Sequence, residues 1–133
     1  MAPRGIKIGV AEDVTDKIAV VTGANTGIGF HTAKILAKGN AKVILACRSK
    51  ERGEKAVEEI EKERRDGDDD ADDDDDDDAS SRGRRCEFMA LDLSDAESIV
   101  AFAKEFKKRF KRLDILVNNA GLNMSAGYEG PKV

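Results

Sequence analysis

Two stretches of this 133-residue chain carry side chains at spacings that chemistry uses. The first is "TGANTGIG", residues 22–29. It follows a β-branched apolar run and leads straight into a helical pattern, the context in which a glycine loop reads as a phosphate cradle. Gly23 permits the tight turn, Gly27 lets a phosphate approach the backbone, and Gly29 lets the helix pack close to the strand. The helix start offers free N–H groups and the positive end of its dipole, which suits a pyrophosphate. A P-loop would end in Gly-Lys-Ser/Thr, whereas Gly29 is followed by Phe30 and His31. His31, the one histidine, has no partners nearby in sequence and reads as a helix surface residue rather than a base. The second stretch is "GYEGPKV", residues 127–133. Tyr128 and Lys132 have the spacing of a Tyr-x-x-x-Lys proton-transfer pair, which needs a helix to bring both onto one face. Gly130 and Pro131 intervene, and proline disfavours the α conformation at the residue before it. The pair is predicted to lie in a loop, and no catalytic residue is assigned in the chain.

A dinucleotide-binding βαβ unit selects its cofactor at the end of its second strand. An acid there holds the ribose 2′-hydroxyl of NAD, and a base accommodates the 2′-phosphate of NADP. The sequence "ACRS" puts Cys47 where an acid would stand and Arg48 directly after it. A guanidinium grips a phosphate bidentately. Arg48 therefore points to NADP(H) over NAD(H); the alternative is a solvated surface arginine.

These residues need a frame to hold them, and the apolar pattern supplies one. Continuous β-branched runs at 18–22, 41–47, 86–91 and 113–117 predict strands buried on both faces. Helical patterns span 28–38 and 49–65, and a third begins at Ser94. In the second helix Ala56, Val57 and Ile60 share one side, and Glu, Lys and Arg cover the rest. In the third, Ser94 with Glu97 forms a capping box, and Ile99, Phe102, Ala103, Phe106 and Phe110 form a buried stripe. The order β-α-β-α-β-α-β predicts an α/β fold, a partial doubly wound (Rossmann) parallel sheet of strand order 3-2-1-4. Residues 1–16 form an N-terminal extension, 17–123 the incomplete dinucleotide-binding domain, and 124–133 a C-terminal loop. The fourth strand is then an apolar edge, open to self-association.

The net charge of −4 is a local effect. Residues 66–78 hold eleven aspartates; without them 16 acidic residues face 23 basic ones, a net +7. Residues 66–84 are expected to be a disordered acidic insertion, because like charges repel and no apolar side chain larger than alanine is there. The match to a calcium-binding loop is poor, since Ala71 and Asp77 stand where Gly and Glu are needed. Cys47 and Cys86 lie in apolar runs, fit a reducing compartment, and give neither a disulfide framework nor a metal cluster. No apolar run reaches the roughly 18 residues of a membrane span, and the first residues do not resemble a secretory leader. A cytoplasmic location is expected, with no nucleic-acid partner.

"TGANTGIG", "VILACRS", "LDLS" and "LDILVNNAG", in that order, resemble the short-chain dehydrogenase/reductase family over roughly residues 14–123. "ANTGIG" with "ACRS" is most similar to the branch of retinol dehydrogenases, WW-domain oxidoreductases and protochlorophyllide reductases. The resemblance implies a cofactor-binding half that uses NADP(H), from a parent that moves hydride between NADPH and a lipophilic carbonyl or alcohol. It implies that Gly23, Gly27 and Gly29 form the pyrophosphate turn, with contacts from Asn25, Thr26 and Ile28, and that Arg48 meets the 2′-phosphate. Asp92 would bond the adenine and Leu93 would pack on it. Asn118, Asn119, Ala120 and Gly121 would shape the floor beside the adenosine, with Asn119 tied to Thr22; the asparagines read equally as turn-stabilising amides. The family's catalytic Ser and Tyr-x-x-x-Lys follow a fifth strand, for which this sequence has no counterpart. The 133 residues are therefore expected to bind cofactor without turning it over. Two other readings stay open: a non-catalytic nucleotide-binding or interaction module, and a truncated product without its own activity.

Overall fold

The computed structural model describes residues 14–66 and 83–121. The N-terminal extension up to residue 13, the acidic stretch 67–82 and the Tyr128–Lys132 pair lie outside the described residues. Within them the chain runs β1 (Ile18–Thr22), α1 (Gly27–Lys38), β2 (Lys42–Cys47), α2 (Lys50–Asp66), β3 (Cys86–Ala90), α3 (Ala96–Arg109) and β4 (Ile115–Val117). The four strands form one sheet of order β3-β2-β1-β4, every pair parallel, as the alternating pattern predicts.

Alternation along each strand divides the core into two layers. On one face Val21, Val43 and Leu45 pack against Ala33 and Ala37 of α1 and Ala56, Val57 and Ile60 of α2. On the other, Val20, Ile44, Ala46, Met89 and Leu91 pack under Phe106 of α3. Phe102 and Phe110 flank Phe106 at ring-centroid distances of 6.2 and 4.9 Å. All four strands run the same way, so their carboxyl ends share one edge of the sheet.

The structure corrects the sequence reading in four places. Asp95, not Ser94, caps α3: its carboxylate accepts the Glu97 N–H at 3.0 Å. Ser94 is occupied elsewhere, donating its hydroxyl to Asp92 Oδ1 at 2.6 Å. The stripe of α3 is only partly buried; Phe106 is covered, whereas Ile99 and Ala103 are exposed. Among the described residues α3 lies over the β3 side of its sheet face, and nothing covers the β4 side. Leu116, in register with Val20, is accordingly 54% exposed. β4 is three residues long, not five. Asp114 ends the ladder by using its side chain as well as its backbone: its carboxylate accepts the Ile18 N–H at 2.8 Å and the Arg112 guanidinium at 2.9 Å. Those two bonds, the Ile18 one first, hold the Asp114 carboxyl below its ordinary range.

The fourth correction is Glu61, which the helical pattern places on the solvent side of α2. It is 2% exposed. One carboxylate oxygen accepts the backbone N–H groups of Arg85 and Cys86 at 2.6 and 2.8 Å, and the other accepts Arg64 at 3.1 Å. Glu61 therefore joins the end of α2 to the start of β3.

Both cysteines are buried free thiols. Burial pushes Cys47 up, and burial together with the nearby Glu61 charge pushes Cys86 up to about 12. Neither thiol is expected to react with a disulfide reagent at pH 8 until the domain unfolds. The linkage has a definite sign: the folded Cys86 keeps its proton where the unfolded one loses it. Its contribution to stability is whole below the unfolded value near 9 and is lost as pH rises towards about 12. Urea unfolding between pH 8 and 11, compared with Cys86→Ala, checks this; a parallel pH slope in the variant would contradict it.

Candidate functional site

The loop from β1 to α1 owes its shape to its glycines. Gly23 and Gly27 both adopt left-handed backbone, with φ of 63° and 59°, which other residues resist. The Gly23 N–H bonds to the Ala46 carbonyl at 2.9 Å and fixes the turn to β2. A Cβ on Gly23 would stand 3.0 Å from the Ala120 backbone, so the loop rests directly on the segment after β4. A Cβ on Gly29 would come within 2.5 Å of the Gly23 carbonyl oxygen and would strike the Asn119 amide. Around Gly27 a Cβ would meet nothing within 4 Å, so this glycine faces open space.

Thr26 is the N-cap of α1, yet its side chain makes no cap hydrogen bond, and the first turn holds no acid. Thr26, Gly27 and Ile28 are exposed, Ile28 to 79%. The helix therefore presents uncapped N–H groups and its positive dipole end to the outside at a point lacking side-chain bulk. A phosphate would satisfy both. Asn25, half-buried, completes the turn.

A stitch holds this loop to β4. The Thr22 hydroxyl accepts the N–H groups of Asn119 and Ala120, each at 3.0 Å. The Asn119 side chain donates to the Thr22 and Gly23 carbonyls at 3.1 and 3.3 Å. Asn119 thus makes the link to Thr22 that the family resemblance implies. Asn118 and Gly121, on either side, are exposed.

Two further segments end at the same edge. Arg48 follows β2 directly, is exposed, and makes no hydrogen bond or ion pair among the described residues. Asp92 and Leu93 follow β3. Asp92 Oδ1 accepts the Ser94 N–H and hydroxyl at 3.0 and 2.6 Å, and the Asp92 N–H donates to Ser98 Oγ at 2.8 Å. Leu93 is 49% exposed. Ser94 and Ser98 thus orient Asp92, a role hidden in the sequence because Ser94 also has the spacing of a cap. The structure brings the residues expected to hold the cofactor to one edge: Gly23, Asn25, Thr26, Gly27, Ile28 and Gly29 from the first loop, Arg48 from the second, Asp92 and Leu93 from the third, and Asn119, Ala120 and Gly121 from the fourth. His31 lies on the exposed side of α1, edge-on to Phe30.

Among the described residues no cluster of His, Cys, Asp and Glu could hold a metal ion, and no helix is long and apolar enough to cross a membrane. The carboxyl edge of a parallel sheet, carrying both a neutral glycine loop and an exposed arginine, suits a ligand with two separated phosphate groups.

The family model for short chain dehydrogenases matches residues 17–72 and 75–130. Mouse retinol dehydrogenase 11 is 44% identical over 108 residues, which are 81% of this chain and 29% of that protein. The chain thus spans less than a third of that relative's length. Among solved structures, menthone neomenthol reductase from Mentha piperita superposes with a TM-score of 0.66 at 42% identity, covering 82% of this chain and 33% of that one. L-sorbose reductase from Gluconobacter frateurii, solved with NADPH and L-sorbose, superposes with a TM-score of 0.64 at 26% identity, covering 87% and 39%.

Proposed function

The chain belongs to the short-chain dehydrogenase family, and from that premise we propose that the carboxyl edge of its sheet binds NADP(H) for an oxidoreductase. The observation that carries this reading is the uncapped, glycine-bounded start of α1 on the same edge as the unpaired Arg48. Gly23, Asn25, Thr26, Gly27, Ile28 and Gly29 hold the pyrophosphate, chiefly through backbone N–H groups. Arg48 takes the 2′-phosphate. Asp92 and Leu93 hold the adenine, and Asn118 to Gly121 form the floor beneath the adenosine. The L-sorbose reductase complexed with NADPH supports the choice of cofactor. In the whole protein the bound cofactor supplies or accepts a hydride at a carbonyl or alcohol. Relatives named for retinol and menthone favour a lipophilic substrate. The two reduced, buried thiols fit a cytoplasmic setting.

Binding is tested apart from turnover. Arg48→Ala is expected to weaken NADPH binding by about 10- to 100-fold, the worth of a charged hydrogen-bonding group, and to leave NADH binding unchanged. Calorimetric titration of the two cofactors reads both values. If neither affinity moves, the NADP assignment is wrong.

A further inference from the structure

Arg48 is exposed and has no side-chain partner among the described residues, so the backbone beneath it sets the origin of the side chain and the direction of its Cα–Cβ bond. That backbone is unusually constrained. Cys47, on one side, is 5% exposed, and its carbonyl accepts the Leu91 N–H at 3.0 Å. Its thiol donates toward the Ser49 carbonyl, with Sγ 3.9 Å from the oxygen. The same Ser49 carbonyl accepts the Gly53 N–H at 2.9 Å, and Ser49 Oγ accepts the Arg52 N–H at 3.3 Å. Arg48 is thus held between a fixed strand end and a capped helix start.

Gly53 makes this arrangement possible. A Cβ there would stand 2.8 Å from Cys47 Sγ and would run into the Phe88 ring. Glycine is a poor helix interior residue, costing roughly 1 kcal/mol against alanine. Its presence in the first turn of α2 lets the helix sit low over the Cys47 thiol. Burial raises the thiol above its ordinary range, so it remains a neutral donor.

We infer that Cys47 and Gly53 are positioning residues for cofactor selectivity: their contact fixes the Arg48–Ser49 turn and so aims the guanidinium at the 2′-phosphate. This rests on the NADP(H) reading above. For replacements at Cys47 the adenine side is insulated, because the link to Leu91 runs through the backbone carbonyl and survives side-chain replacement; a methyl at Gly53 also presses on Phe88 of β3.

The test compares NADPH and NADH affinities of the full chain with those of Arg48→Ala, Gly53→Ala, Cys47→Ala and Cys47→Ser. Gly53→Ala and Cys47→Ala are expected to lower the NADPH preference about fivefold to tenfold, part of the worth of a charged hydrogen bond, with NADH affinity unchanged in Cys47→Ala. Cys47→Ser, which keeps a donor, is expected to retain more of the preference than Cys47→Ala. NADH binding reports on the fold in every variant, a readout that simple destabilisation would move along with NADPH. If Arg48→Ala removes the preference while Cys47→Ala and any folded Gly53→Ala keep it whole, the positioning role is overturned and the cofactor reading stands. If Arg48→Ala leaves the preference untouched, the cofactor reading falls and this inference falls with it.

Discussion

Glu61→Ala is expected to cost the domain about 3–5 kcal/mol, the range for breaking a buried, hydrogen-bonded ion pair. Two backbone N–H groups, on Arg85 and Cys86, lose their shared acceptor. Arg64, whose side chain is only 15% exposed, loses its counter-charge. Water reaches this corner poorly, so the usual discount for a surface pair does not apply. Domains of this size are stable by roughly 5–15 kcal/mol, so the change removes a large share. Glu61→Gln keeps an acceptor for the backbone and should lose distinctly less. Urea unfolding measures both, and an alanine variant within about 0.5 kcal/mol of the wild type, the scatter of ordinary surface changes, would refute the account.

Gly29→Ala is expected to damage fold and binding together. The added methyl would sit within 2.5 Å of the Gly23 carbonyl oxygen and 3.1 Å from the Ala24 Cα, and against the Asn119 amide. Backbone cannot step aside as a flexible side chain can. Either α1 lifts from β1 or the Gly23 peptide turns, and both undo the hydrogen bonds from Asn119. Overpacking of this kind costs about 1–3 kcal/mol, sometimes more. NADPH affinity should fall by about 100-fold, the equivalent of two or three hydrogen bonds to the pyrophosphate. Gly27→Ala is the informative contrast. Its methyl would meet only open space, but at a φ of 59°. That conformation costs a non-glycine residue about 1–2 kcal/mol, and on the proposed cofactor reading the methyl would stand where the phosphate approaches. Binding should be lost while most of the fold survives. Thermal melts beside cofactor titrations separate the two; wild-type affinity in Gly29→Ala would sink the close-packing argument.

The sheet was legible because a parallel strand covered on both faces writes a continuous apolar run, and "IAVVT" and "KVILAC" are such runs. The glycine loop was legible because backbone conformation restricts residue type: few residues but glycine tolerate the angles at 23 and 27 or the closeness at 29. Glu61 was not legible. A glutamate in a helix dense with Glu, Lys and Arg has nothing in sequence to mark it as buried, and its partners at 85 and 86 lie 24 and 25 residues away. The cap of α3 was ambiguous because Ser94 and Asp95 are both good capping residues, and the competing bond to Asp92 decided between them. The partial exposure of α3 depends on what lies beside it, which helical periodicity does not report. Of the site, the residue types were legible; the Cys47–Gly53 contact that braces Arg48 appears only in three dimensions.

The stitch between Thr22 and Asn119 joins residues 97 apart, nearly the two ends of the described fold. Loop closure over such a span must be met before its hydrogen bonds return anything. The loop between β1 and α1, although encoded almost at the start of the chain, is therefore braced only when β4 docks beside β1. A polypeptide still short of its fourth strand has the glycines but not the Thr22–Asn119 brace that gives them form.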